Sequence, residues 1–158
     1  MAVEITIMQN FDFTKISRRL LQLAGATLSV IGNSYVEQTV KNIERKNLFK
    51  SRTRNLIQSI IAIPESDTRV VIYGAGKDSF LEYGKFLEFG TKPYTIRPKE
   101  RKALKIPAGS GFIFRKRVNH PGIRARHYFF GDYEEKMETA FQYGRTYFLK
   151  KLKEVAND

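Results

Sequence analysis

Residues 83–93 read Y-G-K-F-L-E-F-G-T-K-P, and the rest of the chain is organised around them. Tyr83, Phe86 and Leu87 fall at i, i+3 and i+4, the spacing of one helical face. Gly90 follows the last aromatic, Phe89. Glycine tolerates the left-handed backbone that ends many helices, and Pro93 blocks a restart. The stretch predicts a short aromatic helix over 79–89 that stops hard and hands the chain to a β-region. Downstream, residues 118–122 read V-N-H-P-G. This is a turn signal, because proline fixes φ and glycine supplies φ > 0.

Working outward, Arg69–Tyr73 is β-branched and bounded by Gly74 and Gly76, which predicts a strand. Residues 51–61 place Leu56, Ile57, Ile60 and Ile61 at helical spacing, so a second short helix is expected there, ended by Pro64. A long helix is expected from about Thr14 to residue 44. Ile16, Leu20, Leu23, Thr27, Ile31 and Tyr35 lie along its apolar stripe, with Thr14 as cap. Residues 3–8 alternate and predict a short strand. After the central stretch, strands are expected at Tyr94–Arg97, Ala103–Ile106 and Phe112–Val118. A glycine-rich tip, Pro107–Gly111, joins the last two. Asp132, with Glu135 three residues on, predicts the cap of a final helix to about 155. Its apolar stripe is Met137, Phe141, Gly144, Phe148 and Leu152. The order indicates one α+β domain over residues 1–158. Its antiparallel sheet of about four strands is packed by the long N-terminal helix and the C-terminal helix, and residues 98–111 are expected to form a mobile tip.

The chain has 158 residues, 42% hydrophobic and 13% aromatic, enough for one core. It has no cysteine, so disulfides and thiolate metal sites are excluded. The N-terminus lacks the basic head and apolar run of a secretory signal, and no stretch approaches a membrane span. Net charge is +12. Residues 85–128 hold twelve Lys or Arg against two acids, Glu88 and Glu100. Such a patch favours an acidic partner, nucleic acid or protein. Its candidate contact residues are Arg97, Lys99, Arg101 and Lys102 on one side and Arg115, Lys116 and Arg117 on the other. Phe112 and Phe114 share one face of a strand. They either stack bases, as in single-strand binders, or turn to the core beneath a solvated, protein-binding surface.

Catalytic chemistry is hard to assemble from these residues. The only histidines are His120 and His127. Seven residues apart, they fit no common zinc spacing, and residues 101–131 hold no acid to complete a metal-dependent nuclease centre. A metal-independent ribonuclease built on either histidine lacks acid–base partners. A turn histidine bonded to backbone is the plainer expectation for His120. Gly74 and Gly76 follow a strand, but Ser79 stands where a dinucleotide fingerprint needs its third glycine. Glu82 and Glu88 lie six apart, poorly aligned for paired catalysis. They are expected to be solvated or interface charges, Glu88 bonding to the turn at Gly90–Thr91. No cofactor or metal is expected, and no enzymatic activity.

The order of motifs carries a resemblance. E-F-G-T-x-P at 88–93, K-A-L at 102–104, the glycine tip and V-N-H-P-G-x-x-A from Val118 resemble the tail-completion or neck proteins of tailed bacteriophages. The likeness covers roughly residues 50–130. Where that family often continues P-F-L-x-P-A, this chain reads R-H-Y-F-F-G at 126–131. Glu88, Gly90, Thr91, Asn119, His120, Pro121 and Gly122 are the motif positions. The resemblance implies a virion protein at the head–tail junction, made in the host cytoplasm. It would form a homo-oligomeric ring that meets other tail, neck or connector proteins, with DNA passing through unspecifically bound. The alternative is a basic nucleic-acid-binding domain.

Overall fold

Val70 and Ile72 have no solvent exposure and Val71 very little, because their strand is central. The structure is a computed structural model that describes residues 1–6, 18–51, 53–75 and 83–157. Strand β1 (Ala2–Thr6) and strand β2 (Ile61–Ser66) flank β3 (Arg69–Tyr73), antiparallel to it on both sides. Val3 and Ile5 pair with Ile72 and Val70 and turn inward, while Glu4 and Thr6 face out.

Helix α1 (Arg18–Arg45) lies on this sheet. Gly32 makes the approach close: a Cβ there would sit 2.7 Å from Val70 Cγ1 and 2.9 Å from the Ala62 Cβ. Helix α4 (Tyr133–Asn157) runs antiparallel along α1, with Thr39 near Lys136 and Ile31 against Gly144. Tyr35, Ile31 and Leu28 from α1 share one core with Val3, Ile72, Phe129, Met137 and Ala140. The fold is α+β, as the element order indicates.

The expected cap at Thr14 and the rest of residues 7–17 lie outside the described residues, as do Gly76, Ser79 and Glu82. Three local expectations are corrected. The helix expected over 51–61 shrinks to α2 (Asn55–Gln58), and the chain then becomes β2. Pro64 does not end a helix. It sits in an edge strand, where a missing N–H is tolerated, beside a register shift between Pro64 and Ser66. The apolar face of α4 passes through Ala140, fully buried, and not through Phe141, which is 46% exposed. Small residues at 140 and 144 let the helix axes approach, and that rotates the larger Phe141 outward. Phe141→Ala should therefore change the melting temperature little. Ala140→Leu should destabilise by about 1–3 kcal/mol, since the packed helices must part to admit it. Thermal unfolding of both variants compares them directly.

The third correction concerns α3 (Tyr83–Phe89). Its buried residues are Gly84 and Glu88, while Tyr83, Phe86 and Phe89 are exposed. The helix lies so close to the core that a Cβ at Gly84 would fall 2.9 Å from Ala75 Cβ and Tyr128 Oη. Glycine therefore takes the inward position and the aromatics are left outside.

The remaining strands leave the core sheet. Strand β4 (Tyr94–Ile96) pairs with β7 (Val118–His120), and β5 (Leu104–Ala108) pairs with β6 (Gly111–Arg115), both antiparallel. Three strands thus build the core sheet, and four build a two-stranded arm of two ladders in series.

Among the described residues no helix is long and apolar enough to cross a membrane.

Candidate functional site

The arm gathers the basic residues into one place. The outgoing chain leaves β4 after Ile96 and re-enters the ribbon at Leu104, while the return chain crosses the same gap with only Lys116 and Arg117. Register then sets Arg97, Lys99, Arg101 and Lys102 across the ribbon from Arg115, Lys116 and Arg117, at the arm's waist. All seven are exposed. Among the described residues none of them is in an ion pair.

Beyond the waist the character changes. Residues 107–111 carry no charge. Phe112, Ile113 and Phe114 are 56%, 42% and 65% exposed, so both faces of β6 are open. The expectation that Phe112 and Phe114 turn to the core is overturned, because both rings are more than half exposed. Lys105 Nζ lies 3.8 Å from the Phe112 ring centre, a cation–π contact within the arm.

The motif residues meet at the arm's root. Gly90 has φ +74° and Gly122 φ +89°, a region that favours glycine. Thr91 and Ile123 bridge the two chains. The Thr91 N–H donates to the Ile123 carbonyl at 2.8 Å, and the Ile123 N–H donates to Thr91 Oγ1 at 2.9 Å. A Cβ on Gly90 would lie 2.6 Å from the Ile123 carbonyl oxygen, and one on Gly122 would run onto the Thr91 carbonyl. Pro121 leads into this turn. His120 Nδ1 accepts the Gly122 N–H at 3.1 Å, and its ring stacks on Tyr94 at 4.9 Å. Thr95 Oγ1 donates to Asn119 Oδ1 at 3.0 Å. The His120 reading as a turn residue therefore holds, and each half of the two-part motif clamps the other.

Glu88 is corrected. It has no solvent exposure and does not bond to Gly90 or Thr91. It is on the inward face of α3, where its carboxylate accepts the N–H groups of Phe129 at 2.8 Å and Phe130 at 3.0 Å. The backbone repeats the link: Arg126 N–H donates to the Leu87 carbonyl and His127 N–H to the Glu88 carbonyl. Facing it is a cation that sequence reading missed. Lys136, 2% exposed, donates from Nζ to the Phe129 carbonyl at 2.5 Å and to Thr39 Oγ1 at 3.3 Å. Tyr35 donates its hydroxyl to the same Phe129 carbonyl at 2.7 Å, and its ring lies 4.6 Å from Lys136 Nζ. Tyr128 donates to the Gly74 carbonyl at 2.7 Å. The Phe129–Phe130 peptide is thus held at both ends, by Glu88 at the Phe130 N–H and by Lys136 at the Phe129 C=O.

Asp132 stands immediately before α4, at the expected cap position, and its carbonyl accepts the Lys136 N–H at 3.0 Å. Its φ is +54°, and its carboxylate turns to Asn42 of α1 and to Lys46, just past the end of that helix, accepting from both. The Lys46 hydrogen bond holds its carboxyl below the ordinary range.

Burial pushes the Lys136 ammonium down to about 8, with the Glu88 and Asp132 charges opposing the shift. An unfolded lysine titrates near 10.4. Between those values the unfolded chain holds more protons than the folded one, so stability should rise as pH passes from about 8 to about 10. The gain is on the order of 2 kcal/mol. Burial raises the Tyr35 and Tyr128 hydroxyls, so above about pH 10 the folded chain retains protons and stability falls again. Denaturant midpoints on either side of pH 8 should show the rise in the wild type, and Lys136→Met should abolish it.

Among the described residues no group of three or more His, Asp or Glu is placed to hold a metal ion. No family model, curated protein or solved structure matches the chain.

Proposed function

We propose that the protein is a non-enzymatic structural subunit that joins identical copies, and other virion components, at the head–tail junction of a tailed phage. The observation that carries this reading is the arm. A two-stranded ribbon, exposed on both faces, is anchored at its root by a buried network and by two glycines that admit no side chain. A solvent-facing ribbon with bare phenylalanines gains little by folding alone and gains burial by docking. The motif order that resembles tail-completion and neck proteins maps onto the root and the ribbon, and so supports the same reading. Many identical contacts around a ring would sum to a durable joint although each is weak.

The exposure of Phe112 and Phe114 also favours the second reading, a nucleic-acid binder, since exposed rings beside cations can stack bases. The distribution of charge argues against it. Seven of the cations gather at the waist and residues 107–111 are neutral, so the tip lacks the phosphate contacts of a groove that tracks a backbone along its whole length. Under the structural reading, DNA binding is weak, independent of sequence and lost with salt. The protein should be found in purified virions of its phage, and incubation with RNA, DNA and divalent metals should give no cleavage. Absence from virions would sink the reading. Sub-micromolar DNA affinity at about 0.15 M salt that Phe112→Ala or Phe114→Ala weakens would favour the alternative.

A further inference from the structure

Tyr83, Phe86 and Phe89 form an exposed ridge on α3, and Phe130 extends it, its ring 6.3 Å from that of Phe89. The four side chains are 37–62% exposed. The ridge is a consequence of Gly84 and Glu88 taking the inward positions, so it is built into the same root that anchors the arm. Exposed aromatic surface on this scale marks a contact site. The arm of the same chain leaves it uncovered.

We propose that the ridge receives the tip of the arm from a second copy of this chain. This rests on the assembly reading above and names its contact. Charge complementarity selects the occupant. Phe130 leads into α4, whose first turns carry Glu134 and Glu138, both exposed and, among the described residues, in no ion pair; Glu135 turns instead to the groove with Lys41 and Arg45 of α1. Glu4, Glu37, Glu44, Glu65, Asp132 and Glu154 are each already paired with a Lys or Arg. Arg115, Lys116 and Arg117, just behind the apolar tip, offer cations to Glu134 and Glu138, neither of which has a cationic partner among the described residues. Lys85 lies on the α3 side of the ridge and would repel the waist, which sets the direction in which the arm lies. Two arms, both basic, repel each other and cannot be the pair. Reach is sufficient, since residues 111–122 span roughly 35 Å at about 3.3 Å per extended residue. The arm and the ridge are different surfaces, so the contact is head-to-tail and closes into a ring when the rotation allows.

The absence of cysteine makes the test direct. Phe114→Cys and Phe89→Cys replace exposed rings, 65% and 62% accessible, and leave the core alone. Mixed at high protein concentration under mild oxidation, the two variants should form a disulfide-linked pair at least about tenfold faster than either forms with itself. Reversing Arg115, Lys116 and Arg117 to Glu on the Phe114→Cys copy should abolish linkage. Reversing Glu134 and Glu138 to Lys on the other copy should restore it. Equal rates in the unmixed samples, or no linkage in the mixture, would overturn the proposal. Native mass spectrometry of the wild type separates the two readings. Closed rings without mixed linkage place the contact elsewhere and leave the assembly reading standing. Mixed linkage in a chain missing from virions supports the contact and removes the assembly role.

Discussion

Replacing Glu88 with alanine is expected to remove about 3–5 kcal/mol of folding stability, a large share of the roughly 5–15 kcal/mol a domain has. The side chain is fully buried and accepts two backbone N–H groups, from Phe129 and Phe130. Alanine leaves both donors without an acceptor, and each orphaned group costs about 1–3 kcal/mol. It also removes the larger of the two anionic influences on Lys136, leaving Asp132 alone to offset a buried cation. Glutamine should recover only part of the loss, because one of its two terminal groups is a donor and would face a donor. Pairing Glu88→Leu with Lys136→Met should recover more than either change alone, since the double variant removes the acid and the cation together. Urea unfolding gives the energies. Amide exchange adds a local signature: the N–H groups of His127, Phe129 and Phe130 should lose protection before the core strands do. A melting temperature unchanged in Glu88→Ala would show that the carboxylate is reached by water and that the network is not what holds the root.

What could be read from the sequence depended on whether a local signal had a rival. Arg69–Tyr73 has five residues of strand character and nothing helical to compete with it, and it is the central strand. Gly90 and Gly122 were marked by what glycine alone can do, and both have positive φ. His120 was read as a turn residue, and its ring nitrogen does take the turn N–H. Ile61 satisfies a helical period with Ile57 but suits a strand with equal ease, and it opens β2. Only the partner, β3, decides between them, and it lies eight residues on. Periodicity placed the α4 stripe one position away from Ala140, because counting apolar residues gives a large ring more weight than a small one. Close helix contact reverses that preference. Glu88 reads as a solvated or interface charge, as charged residues usually are, and nothing in the pattern around Lys136 singles it out. Their burial follows from a single peptide, at Phe129, that needs partners at both ends, and no spacing rule connects residues 88, 129 and 136. Phe112 and Phe114 were assigned a face on the assumption that their strand covers something. A free ribbon has no inner face.

Reversing Arg115, Lys116 and Arg117 to glutamate should leave the fold intact and yet prevent particles from being joined. The fold should survive because these side chains are exposed, lie outside the core and, among the described residues, hold no ion pair. Surface changes of this kind usually stay within about 0.5 kcal/mol. Removing three positive charges and adding three negative ones also lowers a net charge of +12, which eases repulsion between free subunits. Any loss of assembly would then have to come from a specific contact and not from general repulsion. A ring at the head–tail junction has an inner and an outer charge problem. Cations lining its channel would hold DNA phosphates and slow their passage, whereas cations turned to neighbouring protein would be neutralised there. The waist is therefore expected to face protein. Heads and tails separated on a gradient from cells carrying the triple variant should accumulate unjoined, with the variant protein folded and soluble by circular dichroism. Salt gives the control: raising it should weaken the wild-type joint in the same direction, since charge pairs at an interface rim are screened over roughly 8–10 Å. Infectious particles formed at the normal yield by the triple variant would show that the waist is not the joint.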